Sequence, residues 1–146
     1  MATVTDPISG ELLFRNVPKG HFDPSASEPT AAAVWPTDRD QGLLSTDRDS
    51  IWTAIESYTS RTKALGLDSR GIIALDSDEL VAGWGIETTP DPLVKGVADS
   101  PVDNPAHALS DFNHLTDAPP GERKKARERI LQKVLARGWV HGPFVD

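Results

Sequence analysis

Between Pro119 and Pro143 the chain carries a helix signal, a stop and a strand signal in direct succession. Ala126, Ile130, Leu131, Val134 and Leu135 recur at spacings that place them on one stripe of a 3.6-residue helix over 122–137. Pro119 and Pro120 suit a first helical turn, where a missing N–H costs nothing, with Thr116 or Asp117 as the expected N-cap. Gly138 stands where a left-handed residue closes a helix, and Arg137 before it complements the helix C-terminus. Trp139 and Val140 then resume with β-type residues, and Gly142-Pro143 ends the short strand they predict. A helix feeding straight into a strand packs its apolar stripe on the sheet, so Leu131, Val134 and Leu135 are expected core residues.

Charge is uneven around this helix. Residues 119–137 hold seven of the fifteen Lys and Arg against two acids, whereas the whole chain carries a net charge of −7. Lys124, Lys125, Arg127 and Arg129 are therefore the candidate binding residues. Clustered Arg and Lys are what phosphate neutralisation requires, so nucleic acid is one reading. The net negative chain repels phosphate, however, and no stacking aromatics interleave the run, which makes nucleic acid the least favoured partner. The expectation is a solvated face set against the acidic body of the same chain.

The 146 residues are most simply one domain, long enough to bury about two-thirds of the surface exposed by the unfolded chain. There is no cysteine, so disulfides, thiolate metal sites and a Cys nucleophile are excluded. Residues 1–10 lack a basic region followed by an apolar core, the signature of a secretory leader, and read as a flexible start. No apolar run approaches the length of a membrane span. The expected location is the cytoplasm, with no membrane contact.

Along the chain, residues 11–16 read as a first strand ended by Val17-Pro18. Prolines and glycines make 18–42 loop-rich, with one extended piece at 31–35 and a strand at 43–46. Residues 51–65 form the second long helix signal, capped by Asp49 or Ser50, with Ile51, Ile55, Tyr58, Thr62 and Leu65 inward and Gly66-Leu67 closing it. A buried strand over 71–75 follows, then a short helix to about Ala82 that Asp76 and Glu79 cap. Residues 86–105 hold four prolines and read as an irregular loop. A strand over 107–112 leads into the basic helix. Strand–helix–strand thus occurs over 43–75 and 107–142, units that favour parallel strands. The predicted architecture is α+β: one mixed sheet of four to six strands, with two long helices and one short helix packed on it, forming a single domain over 11–146.

His107, Asp111 and His114 are the one local group of metal-ligand types, but His114 falls on the other side of a strand from the first two. No metal site and no cofactor is expected. Ser45 lacks a Gly-x-Ser-x-Gly elbow, and Gly83-Trp84-Gly85 lacks the rest of a phosphate loop. Asp38-Arg39-Asp40 and Asp47-Arg48-Asp49 read as exposed turns with local ion pairs.

Leu13-Phe14-Arg15 near the start, Leu44-Ser45-Thr46 before a helix and a strand at 72–75 after it resemble the core of an ADP-ribosyltransferase. That family's first strand ends in Arg and its second carries Ser-Thr-Ser. The resemblance implies an NAD cleft with Arg15 and Ser45, although Asp47 stands where the second Ser belongs and no Glu follows Glu128. Leu13-Phe14-Arg15, Val17-Pro18, Trp35-Pro36-Thr37, Leu44-Ser45, Ala136-Arg137-Gly138-Trp139 and Gly142-Pro143 together resemble a set of small uncharacterised bacterial proteins. This second resemblance implies a bacterial source and a similar fold, with no activity attached.

With no complete catalytic constellation, the functional expectation is a non-catalytic bacterial module that binds another protein, as an accessory, immunity-type or regulatory partner. The alternatives are a degenerate NAD-using transferase with Arg15 and Ser45 as its catalytic residues, and nucleic-acid binding through residues 122–137.

Overall fold

The computed structural model describes residues 6–96 and 102–145. Five strands form the main sheet: β1 (Leu12–Asn16), β4 (Leu43–Arg48), β5 (Ile72–Asp76), β6 (Thr88–Pro90) and β7 (His107–Asp111), in the order β5-β1-β4-β7-β6. A small hairpin of β2 (Phe22–Asp23) and β3 (Glu28–Pro29) stands apart. The helices are α1 (Ala54–Thr59), α2 (Ser77–Trp84), α3 (Asn113–Thr116) and α4 (Pro120–Arg137). The α+β class is as the sequence predicts. No described helix is long and apolar enough to cross a membrane.

Every ladder in the sheet is antiparallel, where parallel pairing was expected. The reason lies in adjacency. β4 and β5 both pair antiparallel with β1, so they run parallel to each other with β1 between them. The strand–helix–strand unit is present, but the first strand of the chain has taken the middle place. The segment after α4 behaves likewise: His141 bridges Ile72 in antiparallel fashion at the far edge of β5, and not beside β7. An 18-residue helix is about 27 Å long. That suffices to cross from β7 over the three strands between it and that edge, at about 4.8 Å per strand.

Alternation along the strands sorts side chains to two faces. Leu13, Leu44, Ile73, Leu75 and Ala108 form one, and α4 covers it with Ala126, Ile130 and Val134. Val134 is in the core as expected, while Leu131 packs at its margin and Leu135 is half-buried. The opposite face is small. Phe14, Ile72 and Ala74 meet only Leu12, Ala54 and Tyr58.

That small face takes only part of the expected stripe over 51–65: Tyr58 packs on it, while Ile51, Ile55 and Leu65 stay exposed. The helix starts later, capped by Thr53 and Glu56 in place of Asp49 or Ser50. After Thr59 it widens into a π-helical turn over Ser60–Ala64, which shifts the register. Ile55 is 60% exposed and Ile51 43%, while Ser57 is buried. Polar contacts seat the helix: the Ser57 hydroxyl donates to Asp47, and Asn16 donates to the Ser57 carbonyl at 3.3 Å.

Other boundaries moved for local reasons. Residues 31–34 form a 3-10 turn, not an extended piece, burying Ala33 and Val34. α4 starts on Pro119 without a side-chain cap, so neither Thr116 nor Asp117 serves as one. Asp76 caps α2 as expected, accepting from the Asp78 and Glu79 amides at 2.9 and 3.2 Å. The irregular stretch 86–105 contains β6 and a bridge between Leu93 and Asn104, and residues 97–101 of it lie outside the described residues. Asp47 and Arg48 belong to β4, and Arg48 pairs with Glu11 at 2.6 Å instead of with a neighbour in a turn. Of the expected flexible start, residues 1–5 are outside the described residues, whereas Ile8 is buried and its amide donates to Thr88 at 2.7 Å.

Candidate functional site

Two regions collect the candidate residues. The first is the N-terminal half of α4. Stripe residues turn inward, so Lys124, Lys125 and Arg129 are exposed while Arg127 is half-buried with its guanidinium 5.6 Å from the Trp35 ring centroid. Arg123 folds back to donate to the Ala118 carbonyl at 2.8 Å. Arg123 and Arg127, Trp35, Thr37, Gln41 and Asn113 wall an open groove of about 1230 Å³. At the other end of the helix, Lys133 pairs with Glu79 at 3.6 Å, and Arg137 pairs with Glu79 at 3.2 Å and Asp76 at 3.6 Å.

Among the described residues, no ion pair joins Lys124, Lys125, Arg127 or Arg129 to a carboxylate. Glu128 sits one turn beyond Lys124 on the same helix and makes no such pair either. Lys133 and Arg137 thus pair with the acidic body, while Lys124, Lys125 and Arg129 are exposed, as on the solvated face expected, with no contact pair among the described residues.

The second region lies where β1 and β4 separate. Their pairing ends with Phe14 and Asp47, and beyond it Arg15 inserts. Its Nε donates to the Ala33 carbonyl at 3.1 Å and its Nη1 to the Ser45 carbonyl at 3.0 Å. Arg15 and Ser45, the residues of the transferase resemblance, are thus brought together. They line a cleft of about 210 Å³ with Asn16, Asp47, Ser60, Arg61, Asn104 and His107. No glutamate is among its described lining residues.

Electrostatics in this cleft are dominated by two arginines. Burial pushes the Arg15 guanidinium below its usual range, Asp40 and Asp47 oppose that, and Arg61 adds to it. Burial lowers Arg61 in the same way, against the pull of Asp68. His21, beside them, is lowered first by burial and then by Arg15 and Arg61, and its Nδ1 is buried without a partner.

The expected metal-ligand types part company. His107 Nδ1 bonds Asp91, Asp111 accepts from the Asn113 amide at 2.9 Å, and His114 Nε2 bonds the Trp84 carbonyl at 2.7 Å. Among the described residues no three His, Asp or Glu side chains are grouped to hold a metal ion.

Sequence reasoning missed Arg61, Asn104 and the stacking of Arg127 on Trp35. Arg61 is not among the inward residues of the expected stripe over 51–65, and the π-helical turn that brings it to the cleft leaves no periodic signal. The polar run Ser57, Ser60 and Arg61 was the one hint that this helix seats on polar contacts. Against known proteins, the chain matches no family model, no curated protein and no solved structure.

Proposed function

We propose that this chain is a non-catalytic bacterial protein-binding module, an accessory, immunity-type or regulatory partner that docks an acidic surface of another protein. The contact runs along Lys124, Lys125 and Arg129, with the Trp35–Arg127 wall of the adjoining groove supplying an apolar anchor. One observation supports this reading: among the described residues, α4 pairs its C-terminal cations within the chain and leaves its N-terminal ones without a carboxylate in contact. Exposed charges of that kind set association rate and partner choice more than they set stability. A stacked Trp–Arg pair is the residue chemistry enriched where interfaces concentrate their binding energy. A net charge of −7 favours an acidic patch on a protein over the continuous phosphate charge of nucleic acid.

The test is affinity capture from the host with the intact chain beside a Lys124→Glu/Lys125→Glu variant, followed by binding to the purified partner at two salt concentrations. The reading expects an acidic protein retained by the first and lost by the second. Retention of nucleic acid, with a log–log salt slope of roughly one per phosphate contact, supports the nucleic-acid alternative instead.

A further inference from the structure

The cleft between β1, β4 and the π-helical turn is lined by two arginines whose N–H donors are only partly used. Arg15 spends two of its five N–H donors on the carbonyls of Ala33 and Ser45. Arg61 spends Nε on the Asp68 carbonyl at 2.6 Å. Asp40, Asp47 and Asp68 act on these charges from nearby, and each accepts its hydrogen bonds from neutral groups. Asp40 accepts from the Thr37 amide and hydroxyl at 2.7 and 2.9 Å, Asp47 from Ser57 and from Asn104 at 2.9 Å, and Asp68 from the Lys19 amide at 2.5 Å. Among the described residues no ion pair closes on either arginine. Two guanidiniums that line one cleft with no carboxylate in contact keep N–H donors that an anion from outside can use.

The rest of the wall suits one kind of anion. Ser45 and Ser60 add hydroxyls to the lining, and Asn104, whose amide donates to Asp47, keeps one further N–H. His107 is held through Nδ1 by the Asp91 carbonyl and carboxylate at 3.0 and 3.1 Å, so its neutral ring carries an acceptor at Nε2 and is not counted among the donors. Donors drawn from β1, β4 and the π-helical turn suit a tetrahedral oxyanion better than a flat carboxylate, which a single arginine fork satisfies. The volume of about 210 Å³ is below the roughly 300–1,000 Å³ usual for drug-sized ligands, so the occupant is small. Asp47 also lines the cleft and keeps its negative charge while accepting from Ser57 and Asn104, so the charged lining is two arginines against one carboxylate.

We propose that this cleft is a binding site for a small phosphorylated molecule, whose phosphoryl group sits between Arg15 and Arg61 with Ser60 and Ser45 beside it. The site is separate from the exposed ridge of α4, so each stands or falls alone.

The experiment follows amide resonances of the full-length chain during titration with inorganic phosphate, ethyl phosphate and malonate at constant ionic strength. Phosphate and ethyl phosphate are expected to shift Ser45, Ser60 and Asn104 saturably, with malonate weaker. Arg61→Gln is expected to weaken phosphate binding by roughly tenfold or more, and Ser60→Asp to abolish it. Lys124→Glu/Lys125→Glu should leave it unchanged. Tighter binding of ethyl phosphate than of inorganic phosphate identifies a phosphomonoester as the occupant; the reverse order identifies the free ion. No saturable shift, equal binding by Arg61→Gln, equal binding of malonate, or shifts confined to α4 would overturn the proposal.

Discussion

Arg15 donates from Nη1 to the carbonyl of Ser45 at 3.0 Å, across the gap where β1 and β4 cease to pair. The guanidinium stands in for the strand ladder that ends there, and its Nε does the same for the Ala33 carbonyl. Arg15→Met keeps much of the length and removes both donors. Leaving those carbonyls without a partner should cost about 1–3 kcal/mol, read by urea denaturation. A variant as stable as the parent would show that solvent already serves those groups.

Gly71 marks the seam between β5 and the C-terminal segment. With φ at +143°, a β-carbon there would stand 2.5 Å from the His141 carbonyl oxygen. Backbone cannot swing aside as a side chain would, so Gly71→Ala should destabilise by about 1–3 kcal/mol and loosen the Val140–Ile72 contact. Hydrogen exchange at Ile72 reports the loosening, and unchanged protection there would contradict it.

Two isoleucines of opposite standing separate the real core from the expected one. Ile130 is 1% exposed and Ile55 60% exposed. Ile130→Ala should cost about 2–5 kcal/mol through lost burial and the cavity left behind. Ile55→Ala should lie within about 0.5 kcal/mol of the parent. Comparable losses at both would restore the apolar stripe over 51–65.

His21 makes a pH prediction. Its folded pKa is held below the ordinary 6.5 by burial, then by Arg15 and Arg61. A histidine lowered on folding contributes stability while neutral; that stability is complete above the unfolded value and is lost as pH falls through it toward the folded one. Stability should therefore decline as pH drops below about 6.5, and His21→Gln should flatten that decline. Parallel profiles for the two proteins would refute the assignment.

The sequence made α4, its inward stripe, Gly138 as its stop and the cap of α2 legible, because each rests on contacts within a few residues. Strand positions were also local: residues 11–16, 43–46, 71–75 and 107–112 anticipated four of the five strands. Their order was not, since nothing in β4 or β5 says that β1 comes between them. Helix α1 misled because Ile51 and Ile55 carried a helical period while Asp47 and Asn16, distant in sequence, supplied the polar seat that fixed its face. Arg15 and Ser45 were legible as a pair through a resemblance alone, and their meeting depends on a strand separation that no local pattern encodes. Arg61 was hidden by the π-helical turn.

The most direct measurement bears on α4, by comparing the parent with Lys124→Glu/Lys125→Glu in melting temperature and in affinity for the captured partner. Exposed side chains with no carboxylate in contact among the described residues predict an unchanged melting temperature and lost binding that added salt also weakens in the parent. A lowered melting temperature with partner affinity retained would contradict the docking role and return these lysines to the acidic body of their own chain.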